Sequence, residues 1–228
     1  KAVYLDGMYH LNLDNSLNIE KTRQIIHFFW SRGLYTIAFG SNASTNCYID
    51  YSSRTFPDFS DCQGFLGFLV WDEPGSGSMS TLANFANNFE TIYAGSGVTF
   101  MVNLLPSYAT DFNAGSSSWW DSSLETLDKA AYKAYMEAYC KNVLSQLDGG
   151  KKWLSLDSYP INADYSLTPN FLFDLAVLSY YSKQYDAHAH AVLQSSGWTE
   201  EGTTIKNRMP TEAEMRMQAY AAMAFGVD

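Results

Sequence analysis

The sequence predicts an α/β chain in which six buried strands alternate with helices around one parallel sheet. Three observations predict it. Continuous apolar runs bounded by glycine or proline recur, the clearest being Gly64-Phe65-Leu66-Gly67-Phe68-Leu69-Val70-Trp71-Asp72-Glu73-Pro74. An unbroken apolar run fits a strand covered on both faces, whereas a half-exposed strand would alternate. Between the runs, apolar residues fall at helical spacing. Finally, the runs carry their polar residues at the carboxyl end: Asp72 and Glu73, then Asn103 ahead of Pro106, then Asp157-Ser158-Tyr159-Pro160, then Gln194-Ser195-Ser196-Gly197-Trp198. The carboxyl ends of parallel strands form the rim on which α/β folds place ligands.

In chain order, strands are expected near residues 2–6, 35–39, 66–71, 99–104, 153–157 and 190–194. The first is the apolar run ending in Asp6, and the opening Lys1 is not expected to be the natural start. Ile19, Ile26, Phe29 and Trp30 mark a helix over 18–30, with Gly33 as its stop. The polar and aromatic segment 41–63, broken by Pro57, reads as a long loop over the carboxyl rim that offers Tyr48 and Tyr51 to a ligand. Pro74 cannot donate to a ladder, so the third strand stops at Glu73. The Gly75-Ser76-Gly77-Ser78 run is flexible, and Leu82, Phe85, Phe89 and Ile92 then share one helix face. A rim loop with Trp119 and Trp120 leads to a helix from Ser122 to Leu147, striped by Leu124, Leu127, Ala131, Ala134, Ala138 and Leu144. Phe171, Leu172, Leu175 and Leu178 mark another helix, and Thr211 with Glu214 forms a capping box that opens the last, which runs to Gly226.

A chain of 228 residues, 46% of them hydrophobic, can bury one sizeable core, so a single domain over 1–228 is expected. A net charge of −10 denies a phosphate backbone the clustered Lys and Arg it requires, which excludes nucleic acid as a partner. No apolar run approaches the roughly 20 residues that span a bilayer, and none has the pattern of a signal peptide, so no membrane is expected. Aromatic residues make up 16% of the chain; sugar rings stack on such faces, although most aromatics fill core. Cys47 and Cys62 bracket the polar loop, and two states are equally open: a disulfide, suiting an exported protein in an extracellular or periplasmic location, or free thiols. Cys140 falls within a helical pattern. No cysteine spacing matches zinc, and the histidines His10, His27, His188 and His190 are not clustered with the thiols, so neither metal nor cofactor is expected. His188 and His190 alternate into a strand and are assigned a structural role. Glu200 and Glu201 read as a solvated loop.

Regular alternation without internal repeats implies right-handed crossovers. A (β/α)8 barrel closes with eight strands and typically about 250 residues. Six units fall short, so the expected fold is a TIM-barrel-like (β/α)8 domain that is incomplete in this chain. Its remaining strands would come from residues outside the sequence or from another polypeptide.

The strand tails resemble those of the TIM-barrel glycoside hydrolases, in particular the β-galactosidase-like and related carbohydrate-active families of gut bacteria. The matching pieces are Gly67-Phe68-Leu69-Val70-Trp71-Asp72-Glu73-Pro74, Val102-Asn103-Leu104-Leu105-Pro106-Ser107-Tyr108-Ala109, Leu156-Asp157-Ser158-Tyr159-Pro160, and Arg208-Met209-Pro210-Thr211-Glu212-Ala213-Glu214 with its helix. The resemblance implies a chain that begins near the second barrel strand and ends before the eighth. It also implies an oligosaccharide or polysaccharide substrate and a catalytic acid/base on the fourth barrel strand, at Glu73. Many such enzymes carry a nucleophilic Glu on the seventh strand, where this chain has Gln194-Ser195-Ser196-Gly197-Trp198. Asp157, or a residue beyond the end of this chain, is therefore nominated as the partner carboxylate, with Trp71, Asp72, Asn103, Tyr159, Gln194 and Trp198 shaping the sugar subsite. The two-residue strand period is expected to point Glu73 into the ligand space and Asp72 away from it. Burial beside Trp71 would raise the pKa of a carboxyl group and keep it protonated near neutral pH. The alternative is a non-catalytic carbohydrate-binding or structural module on the same scaffold, motivated by the absent seventh-strand Glu. The separation of the two acids, which would distinguish retaining from inverting hydrolysis, is left open by the sequence.

Overall fold

The computed structural model describes residues 2–6, 18–39, 49, 53–109, 129–148, 151–168, 170–199 and 206–227. Strand β1 (Ala2–Asp6) leads to α1 (Ile19–Trp30), β2 (Tyr35–Phe39), β3 (Phe65–Asp72), α2 (Met79–Tyr93), β4 (Thr99–Leu104) and α3 (Lys129–Asn142). Then come β5 (Lys152–Asp157), α4 (Asn170–Tyr185), β6 (His188–Val192), the short strands β7 (Trp198–Thr199) and β8 (Lys206–Asn207), and α5 (Glu212–Ala224). Strands β1 to β6 pair side by side in chain order, every pair parallel. Sequential order with crossovers of one hand lays all the helices on one face, whereas a doubly wound sheet reverses its order partway. This is the strand order of a (β/α) barrel, and it is incomplete: among the described residues β1 and β6 are the edges and do not pair with each other.

Local chemistry sets the helix ends. The Asn18 side chain accepts from the Lys21 N–H at the start of α1, and Gly33, at φ 73°, supplies the left-handed turn after it. The expected capping box at Thr211 and Glu214 opens α5. Helix α2 buries Met79, Leu82, Phe85, Ala86, Phe89 and Tyr93 at three- and four-residue spacing. They meet the outward side chains Phe68, Val70, Phe100 and Val102, with Leu154 and Leu156 extending the same core along β5. The inward face carries a separate, smaller cluster of Ile37, Leu69 and Met101, flanked by Leu66 and Trp153.

Three expectations need correction. Residues 53–63 do not lie over the carboxyl rim. They return the chain to the amino end of β3, and Phe56 and Phe59 bury themselves in the helix-side core, because two phenyl rings gain more there than in water. The sixth strand covers 188–192, ahead of the expected 190–194, since its pairing with β5 begins at His188 opposite Trp153. A small antiparallel pair, β7 with β8, was not foreseen; it stands apart from the parallel sheet. Helix α3 is seen from Lys129, and Trp119, Trp120, Tyr48, Tyr51, Cys47, His10, Glu200 and Glu201 lie outside the described residues. Cys62 and Cys140 carry free thiols. Among the described residues no helix is long and apolar enough to cross a membrane.

Strand β3 is irregular in a way that matters for the site. Leu69 stands opposite Met101, but Trp71 stands opposite Val102, so Val70 is an extra residue in the ladder. Such a bulge shifts the side-chain alternation beyond it by one. Trp71 consequently packs against the helix-side core, and Asp72, opposite Asn103, turns to the inner face. At Gly67, just before the bulge, an added Cβ would lie 2.2 Å from the Thr99 carbonyl oxygen, so no other residue fits that approach of strand on strand.

Candidate functional site

The register places one residue from each of four strands in a transverse row: Asp72 opposite Asn103, Asn103 opposite Ser155, Ser155 opposite His190. All four side chains meet on the inner face at the carboxyl end of the sheet. Asn103 Nδ2 donates to Asp72 Oδ1 at 3.0 Å and to Asp157 Oδ1 at 3.1 Å. Ser155 Oγ donates to Asn103 Oδ1 at 3.0 Å and contacts His190 Nδ1 at 2.8 Å. Asp157 sits two residues beyond Ser155, one layer nearer the rim. Two carboxylate oxygens sharing one amide nitrogen lie no more than about 6 Å apart.

Electrostatically, Asp157 is the unusual member. It is only 5% exposed, and its hydrogen-bond partners Asn103 and Tyr159 are neutral. Burial first, and the neighbouring charge of Asp72 second, push its carboxyl up to about 6. Asp72 itself is exposed. The Tyr159 phenol is driven upward by burial and then by Asp157, with Glu73 and Asp72 adding to it, so all three carboxylates act on that one hydroxyl. The Tyr159 backbone N–H donates to Tyr108 Oη at 3.3 Å, holding the loop that follows β5 against the loop that follows β4.

Glu73 lies just beyond β3, half-buried. Its N–H donates to the Asn103 carbonyl at 2.8 Å, and its backbone is left-handed at φ 52°. That conformation costs a non-glycine residue about 1–2 kcal/mol. The turn is pinned from below, where Tyr135 Oη donates to the Pro74 carbonyl at 2.7 Å and accepts from the Leu105 N–H at 3.2 Å.

Of the residues nominated from sequence, Asp72, Asn103, Asp157 and Tyr159 come together, with Glu73 beside them. The orientation expected for Asp72 is reversed, because the bulge at Val70 breaks the two-residue period on which it rested, and the inward direction expected for Glu73 loses the same support. Trp71 faces the helix layer. Gln194 lies two residues past β6 and is fully buried, its side chain committed to backbone. Its Oε1 accepts from the Ile161 N–H at 2.9 Å, and its Nε2 donates to the Ile161 and Arg208 carbonyls at 3.1 and 3.0 Å. Trp198 is in β7, and its side chain lies outside the described residues.

Sequence reasoning missed Ser155 and gave His190 only a structural role, although each is a polar residue between two apolar neighbours, and it missed Asp174. This last carboxylate is fully buried on α4, where it accepts from the Ser107 N–H at 3.1 Å and from Ser158 Oγ at 2.7 Å, tying together the loops after β4 and β5. Burial pushes its carboxyl up to about 7. An acid between Phe173 and Leu175 inside a helical apolar pattern was the available signal.

No family model matches this sequence, and neither does any curated protein. Among solved structures, the chain is similar to a putative alpha-L-fucosidase from Bacteroides thetaiotaomicron VPI-5482, at 10% identity over 100% of this chain and 84% of that one, with a TM-score of 0.48. It is also similar to XacCel5A, at 13% identity over 97% of this chain and 85% of that one, with a TM-score of 0.49.

Proposed function

We propose that the chain carries the carboxylate site of a glycoside hydrolase, with Glu73 as proton donor and Asp157 as its partner carboxylate, nucleophile or base. The observation that carries this is the burial of Asp157 against neutral partners with Asp72 alongside. Burying a carboxyl group without a cation, next to a second carboxylate, costs stability. Perturbed acids of this kind cluster where chemistry is done. Glu73 leaves the strand on a fixed left-handed backbone at the same rim, and acids flanking a glycosidic bond need such placement. Asp72 and Asn103 are then the groups that hold Asp157 and meet sugar hydroxyls. An oligosaccharide or polysaccharide is the substrate class.

One observation favours the second reading, a carbohydrate-binding module without turnover. Gln194 stands where the resemblance would place a further carboxylate, and its amide is taken up by backbone.

A panel of aryl glycosides with good and poor leaving groups separates the two, using the whole protein, wild type against Glu73→Gln. Loss of the donor is expected to slow poor leaving groups by roughly 10²- to 10⁴-fold and good ones far less. Equal losses on both would deny Glu73 the donor role. Sugar binding with no turnover of any substrate by the wild type would establish the binding module.

A further inference from the structure

The polar row ends on His190, and chemistry fixes the direction of every hydrogen bond along it. Ionised carboxylates only accept, so the side of the Asn103 amide that faces Asp72 and Asp157 must be its NH₂ group. The amide oxygen is then left facing Ser155 Oγ, 3.0 Å away, and can only accept, so the serine proton points at it. Ser155 has one proton, now spent. Its 2.8 Å contact with His190 Nδ1 therefore needs a proton from the ring. Burial lowers the imidazole pKa and favours the neutral ring, and a neutral ring that donates from Nδ1 keeps Nε2 bare. The ring is held beside the Trp153 indole, with centroids 5.9 Å apart.

We propose that His190 is a positioning residue of the rim site, its Nδ1–H tautomer locking Ser155 and, through it, the Asn103 amide so that both amide protons stay on Asp72 and Asp157. The opposite tautomer would draw the Ser155 proton toward the ring, strip the Asn103 oxygen of its donor and free the amide to rotate. One carboxylate would then lose its N–H. The effect on turnover rests on the function proposed above; the tautomer does not.

Two measurements decide it. Long-range proton–nitrogen spectra of ¹⁵N-labelled wild-type protein, above the pH at which the ring titrates, should give His190 a protonated-type Nδ1 and a bare-type Nε2. The reverse assignment overturns the proposal whether or not the protein turns over any glycoside, and this reading needs no variant to fold. The second compares His190→Leu, which has no donor, with His190→Asn, whose amide N–H can stand near the Nδ1 position. The Asn103 side-chain amide signals should move in His190→Leu and return in His190→Asn. On a glycoside that the wild type hydrolyses, kcat should fall by up to about 100-fold in the leucine variant, with KM little changed, and recover in the asparagine variant. Asn103 signals indifferent to the leucine substitution, or equal losses in both variants, overturn it. Absence of wild-type turnover would count against the glycosidase function, and both spectral results would still decide the tautomer.

Discussion

Two rows of side chains cross the inner face of the same strands. The lower holds Leu69, Met101 and Trp153, with Ile37 beside them; the upper holds Asp72, Asn103, Ser155 and His190. Both are inward positions of one parallel sheet, so strand geometry does not distinguish them. Their energetics run in opposite directions. The lower row gains by leaving water and by close contact, which needs no particular orientation. The upper row must satisfy each donor and acceptor in turn, and it holds Asp157 where a carboxylate is costly to ionise. The amino half of the barrel interior therefore contributes stability, and the carboxyl half gives up some of it to hold a buried carboxylate.

The largest break in that comparison should come from the lower row. Met101 is 1% exposed, and Met101→Ala is expected to cost about 2–5 kcal/mol through lost burial and an unfilled cavity, read as a fall in the urea midpoint at unchanged slope. At Asp157, one layer above the upper row, the effect of substitution should change sign. The Asp157 carboxyl stands at about 6 in the fold against an ordinary 3.8, so the native state binds the extra proton between those values. Its contribution to stability is fully present below about pH 4 and is lost as pH rises through about 6. Asp157→Asn removes that dependence. The variant should match the wild type in acid and exceed it at pH 8 by up to roughly 3 kcal/mol, and denaturation at the two pH values checks it. A smaller effect, about 1–3 kcal/mol of destabilisation, is expected for Gly67→Ala, whose Cβ would meet the Thr99 carbonyl where β3 enters its bulge. The same titration shapes activity. If Asp157 works ionised, kcat/KM should rise with pH through about 6, and a fall through that pH would make Asp157 the acid instead.

Much of this was legible beforehand. Apolar runs closed by Gly and Pro located five of the six parallel strands closely and set the sixth two residues late, since a strand covered on both faces has few polar residues to confuse its ends, and the polar tails placed Asp72, Glu73, Asn103 and Asp157 on one rim. What escaped notice depends on contacts between strands. The bulge at Val70 is a property of how β3 pairs with β4, and no periodicity within β3 announces it. With the bulge unseen, Asp72 and Trp71 were turned to the wrong faces. Ser155 and His190 each stand between two apolar neighbours in their strands, and only the register that sets them beside Asn103 gives them meaning. Asp174 is one polar position of a helix in the sequence, and only the convergence of Ser107 and Ser158 gives it a role.

The bulge carries Asp72 to the inner face and sets it beside Asp157 across the Asn103 amide. Carbon-13 titration of the Asp157 carboxyl group, in the wild type and in Asp72→Asn, tests this most directly. Asp157 should titrate near pH 6 in the wild type. In the variant its midpoint should fall, because the neighbouring negative charge is gone, yet stay above the ordinary carboxylate range, because the burial remains. An Asp157 midpoint that ignores the substitution would contradict the account, since the two carboxylates would then not share a site.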